Sequence, residues 1–83
     1  MKAIVETLLV EISGVIQEGL VNKEQNYLVM TGHTFRMIQL HFPLIDPETR
    51  EYSATLGWLW GFGIREVGQY DPMGNFEFRF EAY

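Results

Sequence analysis

The sequence contains no cysteine, so no disulfide can staple the fold and thiol chemistry is excluded. Histidine is scarce: with only His33 and His41, no Cys/His cluster has the spacing of a structural zinc site. The two serines, Ser13 and Ser53, lie outside any Gly-x-Ser-x-Gly elbow that would lift a hydroxyl onto a sharp turn for attack. Positive charge is thin as well. Lys2, Lys23, Arg36, Arg50, Arg65 and Arg79 stand singly against eleven Asp and Glu, for a formal charge of −5. Nucleic acid is held by clustered cations that release counterions, so direct nucleic-acid binding is not expected. The acidic excess is in turn too dilute to argue by itself for imitation of DNA.

Long hydrophobic runs are missing too. The longest uncharged stretch, residues 52–64, has thirteen residues, too few to span a bilayer. Met1-Lys2 and the apolar residues after it resemble a secretion leader only superficially, because Glu6 and Glu11 interrupt them and no small-residue cleavage site follows. The expectation is a soluble, cytoplasmic protein without membrane contact.

What the chain does have is apolar surface. Its 83 residues form one expected domain, residues 1–83, near the size at which a fold buries only about 60% of its unfolded surface. Yet 47% of the residues are hydrophobic and 14% aromatic. With no disulfide or metal to help, dense packing or a homodimer is the remaining route to stability.

Residues 4–20 place Ile4, Val5, Leu8, Leu9, Ile12, Val15, Ile16 and Leu20 on one arc of a helical wheel and Glu6, Glu11, Ser13, Gln17 and Glu18 on the other, which predicts an amphipathic helix. Gly19 reads as its stop. A pair of strands meeting near Ser13-Gly14 is the competing reading, favoured by the many β-branched residues. After the polar stretch 22–26, Tyr27–Met30 reads as a strand, residues 31–33 as a turn, and Thr34–Leu44 as a second strand with Ile38, Leu40, Phe42 and Leu44 on one face. Asp46-Pro47 either caps a helix or opens a turn. Period-two alternation of Tyr52, Ala54, Leu56, Trp58, Trp60, Phe62 and Ile64 favours the turn, with a hairpin running from Thr34 to about Trp60. Residues 64–70 then form a strand, residues 71–75 a turn, and residues 76–82 a strand whose Phe76, Phe78 and Phe80 alternate with Glu77, Arg79 and Glu81. The fold class expected is α+β, an N-terminal amphipathic helix packed on a four- to five-stranded antiparallel meander.

Chemistry-bearing motifs are weak. Gly57, Gly61 and Gly63 match neither phosphate-binding fingerprint, and bulky aromatics lie between them. His33 reads as a solvated turn residue, His41 as a strand residue with an exposed tip, and Glu77 and Glu81 as a charge ladder rather than an acid and base. The Glu-rich polar face of residues 4–20 has the wrong sign for anionic lipid. No catalytic residue, metal or cofactor is expected, and the protein is not expected to be an enzyme.

The aromatics carry the positive reading. Trp58, Trp60 and Phe62 are expected to run past the helix as an adhesive patch. Glu48, Glu51, Glu66 and Asp71, displayed at turns and strand ends, would steer encounter with a basic partner. This describes a small acidic inhibitor or adaptor docking on a larger, basic, nucleic-acid-handling enzyme, and a phage-like accessory protein would fit that description. The alternative is a small-ligand carrier that uses an aromatic pocket, at a subunit interface or within one chain, with Arg36, Arg65 and Tyr52 lining the site and an arginine meeting an anionic group.

Overall fold

The computed structural model describes residues 1–41, 58–59, 61–68 and 70–83. The first element is the expected helix, α1 (Lys2–Gln17). Its buried face is Val5, Leu8 and Ile12, with Leu9 and Ile16 packed beside them. That arc is narrower than the wheel implies, and Ile4 is largely exposed. The stop is Gly19, at φ 78°, whose N–H donates to the Ile16 carbonyl at 3.1 Å. Leu20 beyond it stays 78% exposed, so no hydrophobic contact seals the helix end.

Asn22 organises the polar stretch that follows. Its side-chain oxygen accepts from the N–H groups of Glu24 (3.1 Å) and Gln25 (2.9 Å), an Asx turn that delivers the chain into β1 (Asn26–Thr31). Leu28, Val29 and Met30 are all fully buried, the pattern of a strand covered on both faces.

The largest departure from expectation is α2 (Gly32–His41), a helix where a strand over residues 34–44 is predicted from the sequence. The alternation of Ile38 and Leu40 misleads, because Leu40 is 67% exposed while Phe35 and Ile38, three apart, both enter the core. The helix is opened by Thr31, whose hydroxyl accepts from the Thr34 N–H at 3.1 Å as an N-cap does.

With a helix there, the antiparallel meander is replaced by a mixed sheet. Strand β3 (Phe62–Val67) runs parallel to β1 in the register Leu28↔Ile64, and β4 (Arg79–Ala82) runs antiparallel to β1 in the register Leu28↔Phe80. A two-residue strand, β2 (Trp58–Leu59), pairs antiparallel with β3 and extends the β3 edge, for the order β2-β3-β1-β4. The reason is topological: parallel neighbours need a crossover, and α2 lies on it. Gly61, at φ 79°, turns β2 into β3, and a Cβ there would also meet Lys23 Cδ at 3.0 Å. The expected strand 76–82 is shortened because Phe76 adopts φ 63° and breaks the extended backbone.

Both helices pack on one sheet face. Val5, Leu8 and Ile12 of α1, Phe35 and Ile38 of α2, and Leu28, Met30, Phe62 and Ile64 of the sheet form a single cluster, closed at one side by Phe76, Phe78 and Phe80. The other sheet face is polar. There the register sets Val29 between Arg65 and Arg79. Arg65 Nη1 donates to Tyr27 Oη at 2.8 Å and lies 3.4 Å from Glu81 Oε1, while Arg79 Nε donates to Glu81 Oε2 at 2.6 Å. Among the described residues no helix is long and apolar enough to cross a membrane.

Candidate functional site

The carboxyl ends of two parallel strands leave a crevice where their connections depart in different directions. Here β1 ends at Thr31 and β3 at Val67, and a cleft of about 580 Å³ opens between them. Gly32, His33 and Arg36 from the first turns of α2 form one wall, and Met73, Gly74 and Asn75 the other.

A closed chain of hydrogen bonds fixes these walls. The Phe76 N–H donates to Thr34 Oγ1 (2.8 Å), the two hydroxyls of Thr34 and Thr31 lie 2.8 Å apart, and Thr31 Oγ1 donates to Asn75 Oδ1 (2.9 Å). The single Thr31 proton is directed at Asn75, so Thr34 supplies the proton between the hydroxyls. Thr31 and Thr34 are buried, and the chain ties residues 75–76 to the start of α2. The rest of that wall caps itself. Asp71 Oδ1 accepts from the Met73 N–H (3.0 Å), and Glu77 Oε2 accepts from the Gly74 N–H (2.8 Å).

The structure distributes the sequence-predicted residues unevenly. Arg36 is exposed and lines the cleft. Glu66 is exposed next to it: Gly32 sits so close to both that a Cβ on it would meet Arg36 Nη1 at 3.3 Å and Glu66 Oε2 at 3.6 Å. Arg65 lies on the opposite strand face with Tyr27 and Glu81, apart from the cleft lining. Asp71 is engaged internally. The Met73 N–H and the Arg79 guanidinium hold its carboxyl below the ordinary range, and Arg79, with Tyr27 and Arg65 behind it, does the same for Glu81. The guanidinium groups are raised in return, Arg65 by Tyr27 and Arg79 by Glu81.

Phe62, expected in a displayed patch, is 3% exposed and packs edge-on against Phe80 with ring centroids 5.2 Å apart. Its alternation with Ile64 directs it at the helix layer, which is why it joins the core. Trp60, Tyr52, Glu48 and Glu51 lie outside the described residues, as does the side chain of Trp58.

His33, read as a solvated turn residue, is exposed but sits in the second position of α2, edge-on to Phe76 with centroids 5.8 Å apart. Thr31, Thr34 and Asn75 were not legible as site residues. The usable signal was Thr31-x-x-Thr34, a cap placed before a helix rather than a turn between strands. Among the described residues no three His, Asp or Glu converge as metal ligands. The groups gathered at the cleft are a guanidinium, an imidazole, an amide and a neighbouring carboxylate, which together suit recognition through hydrogen bonds and charge. Comparison with known proteins finds no family model, curated protein or solved structure that matches the chain.

Proposed function

We propose that the chain is a small non-enzymatic protein-binding module, an inhibitor or adaptor that docks on a larger basic protein such as a nucleic-acid-handling enzyme. The reading extends to a cytoplasmic, phage-like accessory protein acting as a homodimer. The observation that carries it is what flanks the cleft-lining residues Val67 and Gly68 along the chain. Glu66 is exposed there, and the Asp71 N–H closes a turn on the Gly68 carbonyl (3.0 Å) that leaves Tyr70 93% exposed. A displayed tyrosine and carboxylate beside a concavity supply an anchor, a steering charge and a socket for a partner's side chain.

The test is affinity capture followed by titration with the purified partner. Tyr70→Ala is expected to weaken binding about thirtyfold, as truncation of an interface anchor does. Glu66→Lys should slow association and reduce its salt sensitivity. Glu18→Gln, past the end of α1, should change nothing. A partner that binds all three variants equally removes Glu66 and Tyr70 from the interface.

The second reading, a carrier for a small anionic ligand, is favoured by Arg36, which opens onto the cleft beside His33 and Asn75. It requires that phosphate- or carboxylate-bearing metabolites raise the melting temperature in proportion to ln(1 + [L]/Kd). Arg36→Ala should abolish that rise without changing the melting temperature of the free protein.

A further inference from the structure

The outer edge of β4 is unpaired among the described strands, and its chemistry is self-complementary. We infer that two copies of this chain pair antiparallel through β4, centred on Phe80, so that one sheet runs through both. This gives the dimeric state of the preceding reading a specific contact. It is tested with the chain alone, so it stands or falls separately from docking on another protein.

The hydrogen-bond parity of β4 sets the register. The Tyr83 N–H donates to the Gln25 carbonyl at 3.0 Å, and residues 79–82 continue the same antiparallel register without a bulge. Hydrogen-bonded and non-hydrogen-bonded pairs alternate along an antiparallel ladder. Arg79, Glu81 and Tyr83 therefore direct their backbone groups at β1, whereas Phe80 and Ala82 direct theirs outward. A two-fold axis at Phe80 lets each copy's Phe80 N–H meet the other's Phe80 carbonyl.

That register sets Arg79 opposite Glu81 of the second copy and Glu81 opposite its Arg79, in the closely spaced, non-hydrogen-bonded positions where cross-strand charges interact best. Charges on an edge strand usually repel a second edge, and so do prolines and bulges. Here the strand has neither proline nor bulge, and its charges alternate in sign about Phe80 so that they attract. On the helix-side face Phe80 is only half-buried and stacks edge-on with Phe78 at 5.9 Å. Pairing would seal both rings against their counterparts.

Sedimentation velocity across a concentration series, with amide hydrogen exchange at each concentration, tests the pairing. The expected result is a monomer–dimer equilibrium in which the Phe80 and Ala82 amides become protected as the dimer fills. Ala82→Pro removes an edge-facing N–H and leaves the β1 ladder intact. It should weaken association at least about tenfold, because symmetry removes the bond twice. A monomer at every concentration up to about 1 mM overturns the inference, since weaker association would be negligible. So does a dimer in which the Phe80 and Ala82 amides exchange as freely as in the monomer. Should the proline variant not fold, the exchange pattern of the unmodified chain decides.

Discussion

The hydroxyls of Thr31 and Thr34 lie 2.8 Å apart, and both are buried. One belongs to the end of β1 and the other to the first turn of α2, so this contact joins the strand to the helix that leaves it. It also reaches the far wall of the cleft, through the Phe76 N–H on one side and Asn75 on the other. Thr34→Val keeps the shape and removes the hydroxyl, leaving the Phe76 N–H without its acceptor and Thr31 Oγ1 with only the backbone N–H of residue 34 as a donor. The expected cost is about 1–3 kcal/mol, the range for stranding a buried polar group. Urea denaturation should show a lower midpoint with an unchanged slope, and the Phe76 amide should exchange faster than in the parent chain.

Phe76 is held at φ 63°, a region that bulky residues adopt only when their surroundings require it. Its N–H is fixed by Thr34, and its ring packs against the core and edge-on to His33. Replacement by alanine loses the ring and keeps the strain, while glycine loses the ring and relieves it. Phe76→Gly should therefore be more stable than Phe76→Ala by about 1 kcal/mol, the reverse of the order in ordinary strands and helices. Equal stability, or the usual order, in chemical denaturation would mean that the left-handed backbone at this position is not enforced.

Helix α2 separates two residues that a strand would treat alike. On a strand over residues 34–44, Ile38 and Leu40 share one face and both would be core residues. On the helix Ile38 is fully buried and Leu40 largely exposed. Ile38→Ala should cost about 2–5 kcal/mol through the cavity it leaves. Leu40→Ala should stay within about 0.5 kcal/mol. Thermal denaturation of the two variants distinguishes the helix from the strand directly.

The ambiguity at α2 shows where the sequence is informative. In residues 4–20 the helical period repeats over several turns, so Val5, Leu8 and Ile12 identify the buried face despite their β-branched neighbours. In residues 34–41 there are too few apolar positions to separate period two from 3.6, and local alternation favoured a strand. A strand there leaves no crossover, and without a crossover β1 and β3 would not run parallel. The cleft was lost with them, because a crevice between carboxyl ends exists only for parallel strands. From the sequence Arg36 is a candidate for meeting an anionic group together with Arg65 and Tyr52, but its neighbours Thr31, Thr34 and Asn75 become a site only through the β1-to-α2 junction. The 71–75 turn was legible because Asp71 and Pro72 have local turn chemistry, and Asp71 performs it by accepting from the Met73 N–H.

Arg79 bridges two carboxylates on the polar sheet face, meeting Glu81 Oε2 at 2.6 Å and Asp71 Oδ1 at 3.3 Å. Both carboxyls are lowered in the folded protein, Asp71 chiefly by the Met73 N–H and Arg79, Glu81 chiefly by Arg79. In the unfolded chain they titrate near their ordinary values of about 3.9 and 4.3. A carboxyl lowered by folding contributes stability that is fully present above its unfolded pKa and is lost as pH falls toward its folded pKa. Stability should therefore hold on descending to about pH 5 and decline steadily below it. Arg79→Met removes the shared partner, so the acid limb of its stability-versus-pH curve should be shallower than the parent's. The two curves should lie furthest apart near neutral pH, by a modest amount because the pairs are partly open to solvent and screened, and converge as the carboxylates are protonated. About 0.5 M NaCl should flatten the parent's acid limb toward that of the variant. If the acid limbs of the two proteins coincide at low salt, Arg79 does not hold these carboxylates in solution, and the polar sheet face would owe its order to Tyr27 and Arg65 instead.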